Sequence, residues 1–212
     1  MASPHTDIRG VGGHPGTPAV TLQRSELVQA VGAAAARYDM ALFVGNGYLI
    51  RETARSADGP NAFYLFGGMG LASSVAHGYC RATGRPALVL EGDGNFLMGL
   101  GGAACAPAIE AGLVHVVAFN GVYESSGGQP MAIGAPEQVV HTALGLGYRA
   151  ADVVTSVPRL RARLDQASRR PGGGASMICA ATSVPAPAPP RPDMDARECR
   201  ERFTAWGRHE ER

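Results

Sequence analysis

Leu88-Val-Leu-Glu-Gly-Asp-Gly-Asn95 and Val116-Val-Ala-Phe-Asn-Gly-Val-Tyr-Glu-Ser-Ser-Gly-Gly-Gln129 share one layout, an apolar β-branched run that stops abruptly at glycines and polar residues. A strand buried on both faces of a parallel sheet reads this way, and it delivers the loop that follows to the carboxyl edge of the sheet. The first loop offers the carboxylate of Asp93 between Gly92 and Gly94; the second offers the amide of Asn120, followed by Gly121. Asp93, Asn120 and the main-chain oxygen of Val122 can supply about half of an octahedral magnesium shell, with phosphate oxygens and water completing it. A lone Gly-Asp-Gly is most simply a turn. The two loops together predict a hard, oxygen-ligated cation holding a phosphate, with the glycines letting the backbone approach.

Outward from these loops the chain alternates. Helices are predicted over 21–38, with Thr21 as cap, and over 71–81, 96–111, 136–144 and 158–170. Strands are predicted over 40–44, 63–66, 87–91, 113–119, 148–154 and 177–182. Gly45-Asn46-Gly47 and Gly67-Gly68-Met69-Gly70 follow strands as turn signals. Strands alternating with helices predict an α/β fold, a parallel sheet with helices on both faces and right-handed crossovers. Residues 1–20 read as a flexible leader, 21–183 as one binding domain, and 184–212 as a Pro-rich connector and a last amphipathic helix that docks on the body or on a partner.

Composition narrows the chemistry. A formal net charge of +1 gives no electrostatic footprint for nucleic acid or an anionic membrane. All 19 basic residues are arginine, which excludes a lysine Schiff base. Cys80, Cys105, Cys179 and Cys199 are widely spaced, form no CxxC pattern, and read as free thiols in a cytoplasmic protein. His77 and His115 fall inside a helix and a strand and read as structural, as do Glu26, Glu52, Glu91 and Glu110.

Gly92-Asp93-Gly94, then 25 residues, then Asn120 after an apolar strand resembles the thiamine diphosphate signature, with Phe119 standing where the family carries the first of two asparagines. Together with Gly67-Gly-Met-Gly-Leu-Ala-Ser-Ser74 and Asn120-Gly-Val-Tyr-Glu-Ser-Ser-Gly-Gly-Gln-Pro130, it resembles the phosphonopyruvate and sulfopyruvate decarboxylases over about residues 21–206. The resemblance implies thiamine diphosphate and Mg2+ as cofactors, with Asp93, Asn120 and Val122 holding the metal. It places Gly47, Gly94 and Asn95 at the diphosphate, Gly67 at the aminopyrimidine, and Met69 beneath the folded cofactor. Tyr123 and Glu124 stand where phosphonopyruvate decarboxylases carry His and Asp. Ser125, Ser126, Gln129 and Arg51 are further candidates for a keto or anionic group of the substrate. The family's activating glutamate belongs to a pyrimidine-binding domain that has no counterpart here. The resemblance therefore implies a beta-type subunit of a split 2-oxo acid decarboxylase, sharing its active site with an alpha-type partner in a pair of heterodimers. Carboligation with the same cofactor and a non-catalytic cofactor-binding role remain alternatives.

Overall fold

The computed structural model describes residues 22–169, 173–184 and 188–209. The expected leader over 1–20, the cap Thr21 and residues 185–187 of the connector lie outside them. The strands are β1 (Ala41–Val44), β2 (Ala62–Tyr64), β3 (Ala87–Gly92), β4 (Leu113–Phe119), β5 (Val122–Tyr123), β6 (Gln129–Pro130), β7 (Ala150–Val154) and β8 (Ala175–Ala181). Six of them form one parallel sheet in the order β2-β1-β3-β4-β8-β7, and β5 and β6 pair as a short antiparallel ribbon. The α/β reading of the sequence holds.

Helices cover both faces. On one, α1 (Arg24–Arg37), α2 (Tyr48–Ser56) and α7 (Val157–Ser168) bury Leu27, Val31, Ile50 and Leu160 against Leu88, Leu90, Val114 and Val116. On the other, α3 (Ala72–Thr83), α4 (Asp93–Met98), α5 (Leu100–Ala103) and α6 (Pro136–Gly145) bury Ala76, Phe96, Ala103 and Val139 against Val89, Val117 and Met177. Successive strand residues thus serve opposite cores, and every residue of β4 and β8 is buried.

The structure corrects several element boundaries. The first helix begins at Arg24, where Gln23 N–H donates to the Glu26 carboxylate at 3.0 Å. A helix over Tyr48–Ser56, α2, stands where the sequence reading assigned no element. The single helix expected over 96–111 is instead α4, α5 and a 3-10 turn at Ala106–Ala108, broken at Gly99. Positions 99 and 102 require glycine for a steric reason, because a Cβ on Gly99 would collide with the Gly70 carbonyl oxygen and one on Gly102 with Ser74 Oγ. Small residues let these turns approach α3 and the loop before it.

The last helix, α8 (Ala196–His209), docks on the body of its own chain. Phe203 meets Phe63 and Phe43 with ring centroids 5.3 and 5.6 Å away, and Arg202 forms a two-pronged ion pair with Asp58. This covers the β2 edge of the sheet. Among the described residues no helix is long and apolar enough to cross a membrane, and the four cysteines are free, with burial pushing the Cys80 thiol up to about 11.

Beneath the carboxyl edge lies a buried polar group. His115 Nε2 is 2.8 Å from Glu91 Oε1, and His115 Nδ1 is 2.9 Å from the Tyr148 hydroxyl, all three side chains being buried. His115→Leu leaves the Glu91 carboxylate without its partner inside the core, a change that typically costs about 3–5 kcal/mol. Thermal unfolding of this variant should show a melting temperature lower by about 10 °C; a shift of about 1 °C would mean that the pair contributes nothing.

Candidate functional site

The strand order reverses at β1, since the chain steps out to β2 and then back across to β3. Loops leaving β1 and β3 diverge at such a switch point and open a crevice at the carboxyl edge. Here the crevice is a cavity of about 530 Å3. Asn46 and Tyr48 reach it from the loop after β1, Met69 from the one after β2, and Gly92 to Asn95 from the one after β3. Residues 120 and 122–126 enter after β4, Thr182 and Ser183 after β8, and Arg24 from the start of α1.

Asp93, only 5% exposed, is held by three main-chain N–H groups. Its Oδ2 accepts from Asn120 and Gly121 at 3.0 and 2.9 Å, and its Oδ1 from Gly94 at 2.8 Å. Burial pushes its carboxyl above the usual carboxylate range, and the N–H groups of Gly121, Asn120 and Gly94 oppose that shift. No cationic side chain among the described residues pairs with it. The carboxylate is oriented but not neutralised, which is the condition a bound cation relieves.

The neighbouring amides tie the loops together. Asn95 Oδ1 accepts from Gly70 N–H at 2.9 Å while its Nδ2 donates to the Asn46 carbonyl at 3.3 Å, linking the loops after β1, β2 and β3. Asn120 Oδ1 accepts from Val122 N–H at 3.0 Å, and its Nδ2 donates to Glu124 Oε2 at 3.1 Å. Arg24 Nη1 lies 2.8 Å from the same Glu124 oxygen. Among the described residues no group of three His, Cys, Asp or Glu side chains gathers to hold a metal. A cation at Asp93 would depend on amide and carbonyl oxygens, the ligands of hard ions.

Of the residues singled out in the sequence, Met69, Asp93, Gly94, Asn95, Asn120, Val122, Tyr123, Glu124, Ser125 and Ser126 share this cavity, whereas Gly47, Gly67 and Gln129 are off its wall. Gly47 caps α2 at φ +93°, ψ −148°, a conformation open essentially to glycine, and so sets where Tyr48 enters. Gln129 is exposed and pairs with Tyr123 in the β5–β6 ribbon. Arg51 donates to the Pro189 carbonyl at 2.9 Å and lies over the Tyr48 ring, away from the wall. Sequence reasoning missed Arg24, Leu97, Met98, Thr182 and Ser183, while Asn46 and Tyr48 flank Gly47 in the turn expected at the diphosphate. The strand-end rule could have found Thr182 and Ser183; nothing in the sequence signals that Arg24 reaches Glu124, 100 residues away.

A model of the family described as thiamine pyrophosphate enzyme, C-terminal TPP binding domain, matches residues 44–178. The chain is 38% identical to a phosphonopyruvate decarboxylase of Streptomyces viridochromogenes over 123 residues, 58% of this chain and 31% of that relative. It is 40% identical to the sulfopyruvate decarboxylase subunit beta of Methanothermobacter thermautotrophicus over 84 residues, 39% of this chain and 45% of the relative. The matched stretches thus span less than half of either protein. The fold is similar to that of the thiamine diphosphate-dependent 4-hydroxybenzoylformate decarboxylase of Rhodococcus jostii RHA1, with a TM-score of 0.67 at 19% identity over 87% of this chain and 37% of that one.

Proposed function

The chain belongs to the thiamine pyrophosphate enzyme family, carrying its C-terminal TPP binding domain, and from this we propose that it is the beta-type, diphosphate-binding subunit of a thiamine diphosphate-dependent decarboxylase. The substrate class is a 3-substituted pyruvate such as sulfopyruvate or phosphonopyruvate, the acids named in its relatives. In this reading residues 21–183 form the binding domain. The observation that carries it is Asp93, a buried carboxylate that pairs with no cationic side chain among the described residues and sits where the loops after β3 and β4 meet.

The residues fit the cofactor and Mg2+. Asp93 and Asn120 would hold the metal through side-chain oxygens, and Val122 through its main-chain oxygen. Gly94 and Asn95, with the Gly47 turn, would meet the diphosphate, while Gly67 and Met69 would meet the pyrimidine side. Bound thiamine diphosphate supplies a nucleophilic carbon and an electron sink for loss of carbon dioxide. The chain's part is to bind and orient it. Asn95 fixes the Met69 loop against the loops carrying Asn46 and Asp93, which positions both ends of the cofactor site at once. Tyr123, Ser125 and Ser126 line the remaining wall, where the substrate's oxygens would be received.

Glu124, the one glutamate on the cavity wall among the described residues, is engaged by Arg24 and Asn120. Glu26 caps α1, Glu91 is in the core, and Glu52 and Glu110 are off the wall. The carboxylate that activates the cofactor is therefore assigned to an alpha-type partner, in a hetero-oligomer such as a pair of heterodimers. The test is to co-purify the chain with the product of a neighbouring reading frame, add thiamine diphosphate and Mg2+, and assay 2-oxo acids for carbon dioxide release. Turnover of sulfopyruvate or phosphonopyruvate in preference to pyruvate is expected; release from none of them would overturn the reading.

A further inference from the structure

We propose that Arg24 and Glu124 form a buried strut that fixes which way the Asn120 carboxamide faces, making Glu124 a positioning residue for cation and diphosphate binding. The inference rests on the cofactor reading above and assigns a role to a pair that lies outside the predicted metal shell. Glu124 Oε2 accepts from Arg24 Nη1 at 2.8 Å and from Asn120 Nδ2 at 3.1 Å. The two charged side chains are 7% and 15% exposed, so this is not a solvated surface pair. A buried ion pair contributes little net stability compared with apolar packing of the same volume, so stability alone gives it no reason to be there.

A carboxamide can sit either way round, and the two orientations differ in what they offer a cation. Turned one way it presents a partly negative oxygen; turned the other way it presents two N–H donors that repel it. Two neighbours of opposite kind remove the choice. Val122 N–H requires an acceptor and so selects Oδ1, while the Glu124 carboxylate requires a donor and selects Nδ2. Oδ1 keeps a second lone pair for the cavity. Arg24 in turn holds Glu124 in place. Its guanidinium lies over the Tyr48 ring, 5.1 Å from the centroid, so the strut is braced against the first residue of α2. Among the described residues neither Arg24 Nε nor Glu124 Oε1 has a hydrogen-bond partner, so the contact through Oε2 sets the carboxylate's position.

The test uses the full chain, with Mn2+ as probe in saturating thiamine diphosphate and free Mn2+ read by electron paramagnetic resonance. Groups that orient a metal ligand typically contribute about 10- to 100-fold in metal affinity, and losses in that range are expected for Glu124→Ala. Arg24→Met, which leaves the Asn120 loop untouched, should weaken Mn2+ in the same direction, with Arg24→Lys recovering part of the loss. A merely structural pair would lower the melting temperature and spare the affinity. Wild-type binding unchanged to within about twofold in both Glu124→Ala and Arg24→Met would overturn the strut alone. If Glu124→Ala does not fold, Arg24→Met decides. A wild-type chain that takes up neither Mn2+ nor thiamine diphosphate would overturn the cofactor reading, and the strut with it.

Discussion

Replacing Asp93 with alanine is expected to abolish Mg2+-dependent binding of thiamine diphosphate, a loss larger than the about 10- to 100-fold that follows from disturbing a group one step removed from a metal. Asp93 is the sole carboxylate on the cavity wall not already engaged by an arginine among the described residues, so no neighbour can replace its charge. Alanine also leaves the N–H groups of Asn120 and Gly121 without their acceptor. Asp93→Asn removes the charge while keeping the volume and an acceptor for Asn120 and Gly121, at the cost of turning an N–H donor toward Gly94 N–H. Isothermal titration of thiamine diphosphate in Mg2+ should show no binding for either variant, with Asp93→Asn retaining the wild-type circular dichroism. Binding by Asp93→Asn at wild-type affinity would remove Asp93 from the site.

The same carboxylate gives the metal-free chain a pH dependence of defined sign. Burial, the dominant influence, raises its folded pKa above the unfolded value, so the folded state is the better proton acceptor in that window. The contribution of Asp93 to stability is therefore fully present below the unfolded pKa and lost as pH rises through the raised one. A divalent cation reverses the balance by favouring the ionised form, so added Mg2+ and cofactor should raise the melting temperature most above that window.

The legible parts of this molecule are those in which local sequence answers to one dominant force. β3 and β4 are continuous apolar runs because both faces of the sheet are covered, and their ends could be read because glycine and polar residues have no place inside. Asp93 and Asn120 followed from those ends, and Asn95 from the resemblance. What escaped depends on contacts between distant segments. The need for glycine at 99 is set by the Gly70 carbonyl, 29 positions away, and α2 is short enough that Leu49 and Ile50 alone do not establish its period. Arg24 opens a helix of ordinary composition, and only the packing of α1 on the sheet brings it to Glu124. Glu124 itself could be placed at the cavity from its loop, but not its partners.

On the two-subunit reading proposed above, decarboxylation by the chain alone is expected to be slower than that of the reconstituted complex by about 10²- to 10⁴-fold, the usual contribution of a positioned acid or base, and the exposed side chains offer a face for the partner that would bring that group. Leu71 and Met98 are 51% and 64% exposed, and Met69 and Val75 are exposed beside them. Gly70 joins them into one patch, since a Cβ there would lie 3.0 Å from Met98 Cγ. The patch borders the cavity through Met69 and Met98, the place from which a second chain could reach the pyrimidine side of the cofactor. Burying an unpaired carboxylate in an apolar contact costs about 2 kcal/mol or more. Leu71→Asp should therefore weaken the complex by about 30-fold or more, lowering turnover at limiting partner and restoring it at excess partner. Because Leu71 is half exposed in the isolated chain, the variant should melt at the wild-type temperature. Full turnover without any partner, or an unchanged partner titration in Leu71→Asp, would place the activating group elsewhere.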